Sequence, residues 1–144
     1  MTADIVADRT DRGADEAEVF AAADSLIAAF GHHDVEEYFA AFSPDASFMF
    51  YTHPERLESV QEYRDVWQQW ERESGFRVLD CRSSNRRVDV YGTSAVFTHD
   101  VLTTVENTDE GSEPVQTVTS ERETIVFARF DRRWLAVHEH LSGR

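Results

Sequence analysis

Asp100, His53 and Tyr63 are the side chains of this sequence best suited to acid–base chemistry, with Tyr51 as a further hydrogen-bond donor. Asp100 sits in a strand-forming run, flanked by Val96, Phe97, Val101 and Leu102. A carboxylate among apolar neighbours is either paired with an arginine or held at a raised pKa that suits a general acid or base. His99 leaves the opposite face of the same strand, so the two cannot form a dyad within it. Arg122 and Glu123, on the expected neighbouring strand, are available as partners. In an enzyme, Asp100 or His53 would be the acid–base group and Tyr51 or Tyr63 the donor to a developing oxyanion. The structural reading of Asp100, as one half of an ion pair, stands beside this one because charged residues are rarely buried unpaired.

His138 and His140 stand two residues apart on a strand-like segment, so both imidazoles leave one face of a sheet. Such a pair can chelate a metal if His53, His99 or a carboxylate supplies a third ligand, but the spacing is nonspecific. The competing reading is a pair of hydrogen-bonded histidines, and no metal is assigned. His32 and His33 are adjacent, diverge in any regular structure, and read as a connector. The aromatic residues Phe48, Phe50, Tyr51, Tyr63, Trp67 and Trp70 either line an apolar ligand pocket or form plain core. There is no nucleophile motif, glycine-rich phosphate loop or zinc signature, and no cofactor is expected.

The elements that must position these residues are legible as periodic patterns. Val19, Phe20, Ala23, Ile27 and Phe30 fall on one helical stripe that stops at Gly31. Asp34 with Glu37 has capping-box spacing for a second, shorter helix carrying Val35, Tyr38, Phe39 and Phe42. Ser43-Pro44-Asp45 breaks the chain before a short aromatic strand over 46–52. Ser59 with Glu62 repeats the cap spacing, and Val60, Tyr63, Trp67 and Trp70 stripe a third helix that ends at Gly75. Four strands follow, over about 76–91, 95–106, 115–130 and 133–141, with an irregularity at Ser83-Ser84-Asn85. Helices first and a meandering sheet second give an α+β chain.

The chain has 144 residues, a length that suits one domain, and its ten Phe and three Trp can fill a core. Its 28 acidic residues face 14 basic ones, all arginine, for a net charge of −14. That balance argues against a nucleic-acid partner and against anionic membrane surfaces. Cys81 is the single cysteine, so no intrachain disulfide can form. No stretch reaches the roughly 18 apolar residues of a membrane span, and the acidic N-terminus has no signal-peptide pattern. The default location is therefore cytoplasmic.

The closing stretch Ser120–Gly143 is a long hairpin turning at Asp131-Arg132-Arg133, with Trp134 opening the return strand. It resembles the last hairpin of the SnoaL-like, nuclear transport factor 2-like superfamily. It is similar in pattern to the association domain of calcium/calmodulin-dependent kinase II, where Glu123-Thr124, Asp131, Trp134-Leu135, Val137-His138, His140 and Ser142-Gly143 have counterparts in the same order. The resemblance covers residues 15–143 and implies a fold: three N-terminal helices packed into a strongly bent antiparallel sheet, forming a cone. One sheet face would line a pocket and the other would form a homodimer. Arg64 matches an arginine of the association domain's anion pocket, whereas the positions of its two strand arginines are Leu102 and Ile125 here. The implied ligand pocket is therefore more apolar, with Phe48, Phe50, Tyr51, Tyr63 and Trp67 beside Arg64, Leu102 and Ile125. Other members of the superfamily are isomerases, dehydratases, polyketide cyclases and epoxide hydrolases with an acid–base group inside the cone. The ketosteroid isomerase pattern puts an aspartate after the first short strand, where this chain reads Phe48-Met49-Phe50-Tyr51.

The expectation is a disordered acidic tail over 1–14 and one domain over 15–144. That domain is a homodimeric, small-molecule-binding module with a mostly apolar interior. The alternative is an isomerase, dehydratase or cyclase using an Asp/His/Tyr set.

Overall fold

The computed structural model describes residues 2–109 and 111–144, with side chains from residue 13 onward. Two helices, α1 (Thr2–Gly31) and α2 (Val35–Ala40), precede the first strand, β1 (Phe42–Phe50). Helix α3 (Val60–Ser74) comes next, followed by β2 (Arg77–Tyr91), β3 (Ser94–Asn107), β4 (Val115–Phe130) and β5 (Arg133–Gly143). The reading of residues 1–14 as an acidic tail falls almost wholly outside the described side chains. No helix among the described residues is long and apolar enough to cross a membrane.

Local chemistry sets the helix ends. The Asp34 and Ser59 side chains accept hydrogen bonds from the backbone N–H groups of Glu37 and Glu62, which caps α2 and α3 as the spacing predicts. Gly75 closes α3 in the left-handed region at φ 57°, with its N–H on Glu71 O and the Phe76 N–H on Trp70 O. A side chain at residue 75 would bring its Cβ to 3.2 Å from Thr108 Cβ.

The sheet corrects the expected architecture in three respects. Its strand order is β1-β5-β4-β3-β2, an open sheet with β1 and β2 at its edges, not a strongly bent sheet closed into a cone. It is mixed, because β1 runs parallel to β5 while the other pairings are antiparallel. Only two helices precede the first strand; α3 is the crossover that separates β1 from β2. The strand signal over 46–52 was correct in kind, but β1 begins at Phe42, before the expected break. Pro44 is tolerated because β1 is an edge strand and its register shifts between Phe42 and Ser47.

All the helices lie on one face of the sheet. The odd-numbered β3 residues Ala95, Phe97, His99, Val101 and Thr103 are buried beneath them. The α1 residues Val19, Ala23, Leu26 and Ile27 and the α3 residues Tyr63 and Trp67 close over that face. Each large apolar side chain removed from water in this way contributes roughly 1.5–3 kcal/mol.

Candidate functional site

A cavity of about 290 Å³ lies between the helices and the sheet. That volume is at the lower end of ordinary small-molecule sites, about 300–1,000 Å³. Leu26, Ile27 and Phe30 of α1 and Tyr63, Trp67 and Trp70 of α3 form its apolar wall. The opposite wall is polar. β4 presents Thr119, Glu121 and Glu123 at alternate positions, and β5 adds Glu139. Among the described residues lining the cavity there is no arginine or histidine.

Glu139, only 5% exposed, is at the centre of the polar wall. The Tyr38 hydroxyl donates to both its carboxylate oxygens, at 3.4 and 3.2 Å. The Tyr63 hydroxyl lies 3.0 Å from that of Tyr38. With Tyr38 donating to the carboxylate, Tyr63 must donate to Tyr38, and its oxygen lone pairs remain available. The Glu123 and Glu139 carboxyls act on each other, an arrangement in which one of the two is held protonated. Burial pushes the Glu123 carboxyl up to about 7, with Glu121 adding repulsion. Burial and then the Glu123 charge hold Glu139 well above the usual carboxylate range. Both tyrosines are raised by burial and then by the Glu139 charge, so they act as donors rather than bases. A carboxylic acid beside a carboxylate, both facing an apolar cavity, can give one proton and take another at neutral pH.

Two further contacts extend this centre. The Tyr51 hydroxyl donates to Glu121 Oε2 at 2.7 Å, and both residues line the cavity. On the other side, His99 Nε2 lies 2.7 Å from Glu123 Oε1, and its Nδ1 lies 2.6 Å from Ser83 Oγ. Burial, and then Arg86, depresses the His99 pKa to about 4, so the ring is neutral at pH 7. The Trp67 indole N–H is buried with no hydrogen-bond partner among the described residues, on a side chain that lines the cavity. Burial pushes the Cys81 thiol up to about 12, which leaves it without nucleophilic character.

The residues expected from sequence are distributed unevenly. Tyr63, Tyr51, Phe50 and Trp67 line the cavity. Phe48 and Ile125 are wholly buried in the core and do not line it. Arg64 pairs with Glu36 at 2.7 Å and lies over the Phe39 ring, outside the cavity lining. Leu102 is 41% exposed on the helix-free face. Asp100 is on that face too, 2.9 Å from Arg144 and 3.8 Å from Arg122, an arginine pairing of the structural kind. His53 is in the turn after β1, where its backbone N–H donates to Phe50 O. His138 and His140 leave the outer face, with Ser47 Oγ 2.8 Å from His138 Nδ1.

Glu121 and Glu139 were not named from sequence, while Tyr38 was read as helix core, His99 as a possible third metal ligand and Glu123 as a possible partner of Asp100, none of them as part of this site. The period-2 run Glu121, Glu123, Ile125, Phe127 does hold a signal, since it places two carboxyl groups in line with two core residues. Glu139 has no such signal. Trp134 and Ala136 face the core, and simple alternation would send His138 and His140 in after them. A register shift in the β4–β5 ladder, where Phe127 pairs with Ala136 but Val126 with His138, inserts Val137 as an extra residue. That bulge turns both histidines out and Glu139 in.

With this geometry in hand, the chain can be set beside known proteins. The family model described as a SnoaL-like domain matches residues 19–143. No curated protein matches the sequence. A ketosteroid isomerase-like protein from Erwinia carotovora atroseptica superposes with a TM-score of 0.72 at 19% identity, covering 89% of this chain and 95% of that one. A putative calcium/calmodulin dependent protein kinase II association domain from Xanthomonas campestris gives 0.66 at 20% identity, covering 88% and 86%. The association domain of the C. elegans kinase gives 0.62 at 18% identity, covering 90% and 96%. These likenesses show the fold, with association domains among the structures that share it.

Proposed function

The chain belongs to the SnoaL-like domain family, and from that premise we propose that its cavity binds a small, largely apolar molecule and transfers protons on it. The observation that carries this reading is the buried Glu123–Glu139 carboxyl pair, set with Tyr38 and Tyr63 on the wall of an open cavity. The ionised member takes a proton from carbon or oxygen, the protonated member returns one, and the tyrosine pair holds Glu139 in place. Such a reaction belongs to the isomerase, dehydratase or cyclase class. Tyr63 lines the cavity as expected, but its role here is to support Glu139 through Tyr38 rather than to donate to a developing oxyanion. The carboxyl groups come from β4 and β5 rather than from Asp100, which has two arginine partners. The cavity lining has three glutamates and no cation among the described residues, which favours a neutral or cationic ligand over an anion.

The test is deuterium incorporation at the α-carbon of small cyclic ketones in D2O, followed by NMR. Wild-type protein is expected to exceed the buffer rate by at least about 100-fold, and Glu139→Gln to lose that gain, the usual range for one general acid–base group. If ketone binding is intact in both proteins while neither exceeds buffer, the catalytic half is refuted and a binding domain remains.

The homodimer is part of the same proposal. Its support is the face that carries no helix, where Val96, Leu102, Val118 and Val126 surround the Asp100–Arg122–Arg144 cluster. An apolar patch with a charged cluster at its centre suits a self-complementary contact.

A further inference from the structure

Deepening the acid–base reading of the cavity, we propose that His99 and Ser83 form a proton relay joining the Glu123–Glu139 pair to the edge of the sheet, behind the ligand. The geometry is a continuous chain of short contacts. Ser83 Oγ to His99 Nδ1 is 2.6 Å, His99 Nε2 to Glu123 Oε1 is 2.7 Å, and the Glu123 charge in turn raises the proton affinity of Glu139. His99 does not line the cavity, so its ring is spare to ligand binding and yet touches the reactive pair. Ser83 is half-buried on β2, an edge strand of the sheet.

The backbone is shaped for this contact. Between the pairs Ser84↔Asp100 and Arg87↔Thr98, β2 places Asn85 and Arg86 opposite His99 alone. Asn85 adopts φ 51°, and the bulge interrupts the ladder beside the histidine. Proteins retain bulges where a side chain must be re-aimed, and Ser83, two residues before the bulged Asn85, bonds His99.

The chemistry balances without an added reactant. When Glu123 is protonated as well as Glu139, its O–H donates to Nε2, and Nδ1–H donates to Ser83 Oγ. When Glu123 is ionised, Nε2–H donates to the carboxylate, and the Ser83 hydroxyl donates to Nδ1. Passing from the first state to the second moves one proton from Glu123 to Nε2, one from Nδ1 to Ser83 Oγ, and one from the Ser83 hydroxyl to solvent. One proton leaves the pair in total, and the ring is neutral before and after. A cationic ring is disfavoured by burial and by Arg86, although Glu139 and Asp100 pull the other way. Arg86 itself pairs with Asp24. Glu121, Tyr38, Tyr63 and Cys81 are the other titratable groups around the carboxyl pair. A bound ligand filling the cavity would block exchange from the front, and the relay leaves the rear open.

The deciding measurement is the 15N spectrum of the histidine rings in the full-length protein from pH 5 to 9, with no ligand present. The protonated nitrogen of His99 is expected to change from Nδ1 to Nε2 as pH rises through about 7, while the ring stays uncharged. Glu123→Gln should abolish the change. Ser83→Ala should slow tautomer exchange at least about ten-fold by relaxation dispersion, with Ser83→Thr restoring it. A single tautomer across the range, or an imidazolium at pH 7, overturns the relay. If a variant does not fold, the wild-type titration still decides. Because neither ligand nor turnover enters this readout, a fixed tautomer removes the relay while leaving the cavity's acid–base role to the ketone-exchange test.

Discussion

Two carboxyl groups sharing one proton are costly to bury, and the neighbours of Glu139 show how that cost is limited. Tyr38 donates to it, Glu123 shares its proton, and the neutral His99 meets Glu123 without adding charge. At the same scale, Trp67 presents a buried indole N–H with no partner among the described residues. An orphaned donor on a cavity wall is satisfied when a ligand brings an oxygen. Trp67→Phe is therefore expected to weaken binding of a ketone by about 2–10-fold, while affinity for the matching hydrocarbon changes less; one hydrogen bond contributes roughly 0.5–1.5 kcal/mol net. Equal losses for both ligands in a titration series would assign Trp67 to packing alone. Residue types with a familiar chemical role, His53 and Asp100, drew the sequence reading, yet local type says nothing about which residues converge. Tyr63 was found because its helical stripe is visible; Glu139 was not, because its neighbours in sequence are histidines on the other face.

Single elements of this fold are held by end chemistry and by bulges. The caps of α2 and α3 were legible in the chain because a capping box is a local pattern of residue types at fixed spacing. Gly75 terminates α3 at φ 57° and leaves no room beside Thr108, so Gly75→Ala is expected to cost about 1–2 kcal/mol, read as a lower urea midpoint at unchanged slope. An unchanged midpoint would mean that α3 can end elsewhere. The strands were also recognisable from composition and turns, down to the irregularity near Asn85. The bulge at Val137 was not, since an inserted residue in a ladder is defined by its partner strand rather than by its own sequence.

For the molecule as a whole, the carboxyl pair couples stability to pH. A carboxyl whose folded pKa is raised binds more protons in the native state, so stability falls as pH rises from the unfolded value through the folded one. For Glu123 that window runs from 4.5 to about 7, and Glu139 extends it upward. His99 acts in the opposite sense, its stability contribution being lost as pH falls from 6.5 to about 4. The two trends offset each other at acid pH, leaving a net decline above about pH 6.5. Chemical denaturation should show wild type less stable at pH 8.5 than at pH 6.5, and Glu139→Gln losing less over the same interval. Parallel declines would locate the coupling elsewhere. The proposed dimer makes its own prediction: Leu102→Glu on the helix-free face should shift sedimentation at micromolar concentration from dimer to monomer without lowering thermal stability of the isolated fold. A wild type already monomeric there would refute the interface.

The amino-acid sequence by itself determined the helices with their caps, the strands with their turns, the α+β class and the family likeness. Those features depend on residue types at short, fixed separations. Only the tertiary structure decided that β1 lies parallel to β5, that α3 follows the first strand, and that the sheet stays open. It also decided the site. Tyr38, Glu123 and Glu139 come from α2, β4 and β5, and the Tyr38 hydroxyl reaches Glu139 across a separation of 101 positions in the chain. A one-residue bulge chose which face Glu139 would occupy, and burial then changed its chemistry. Pairing partners and burial are properties of the folded chain, so no local pattern could have announced them.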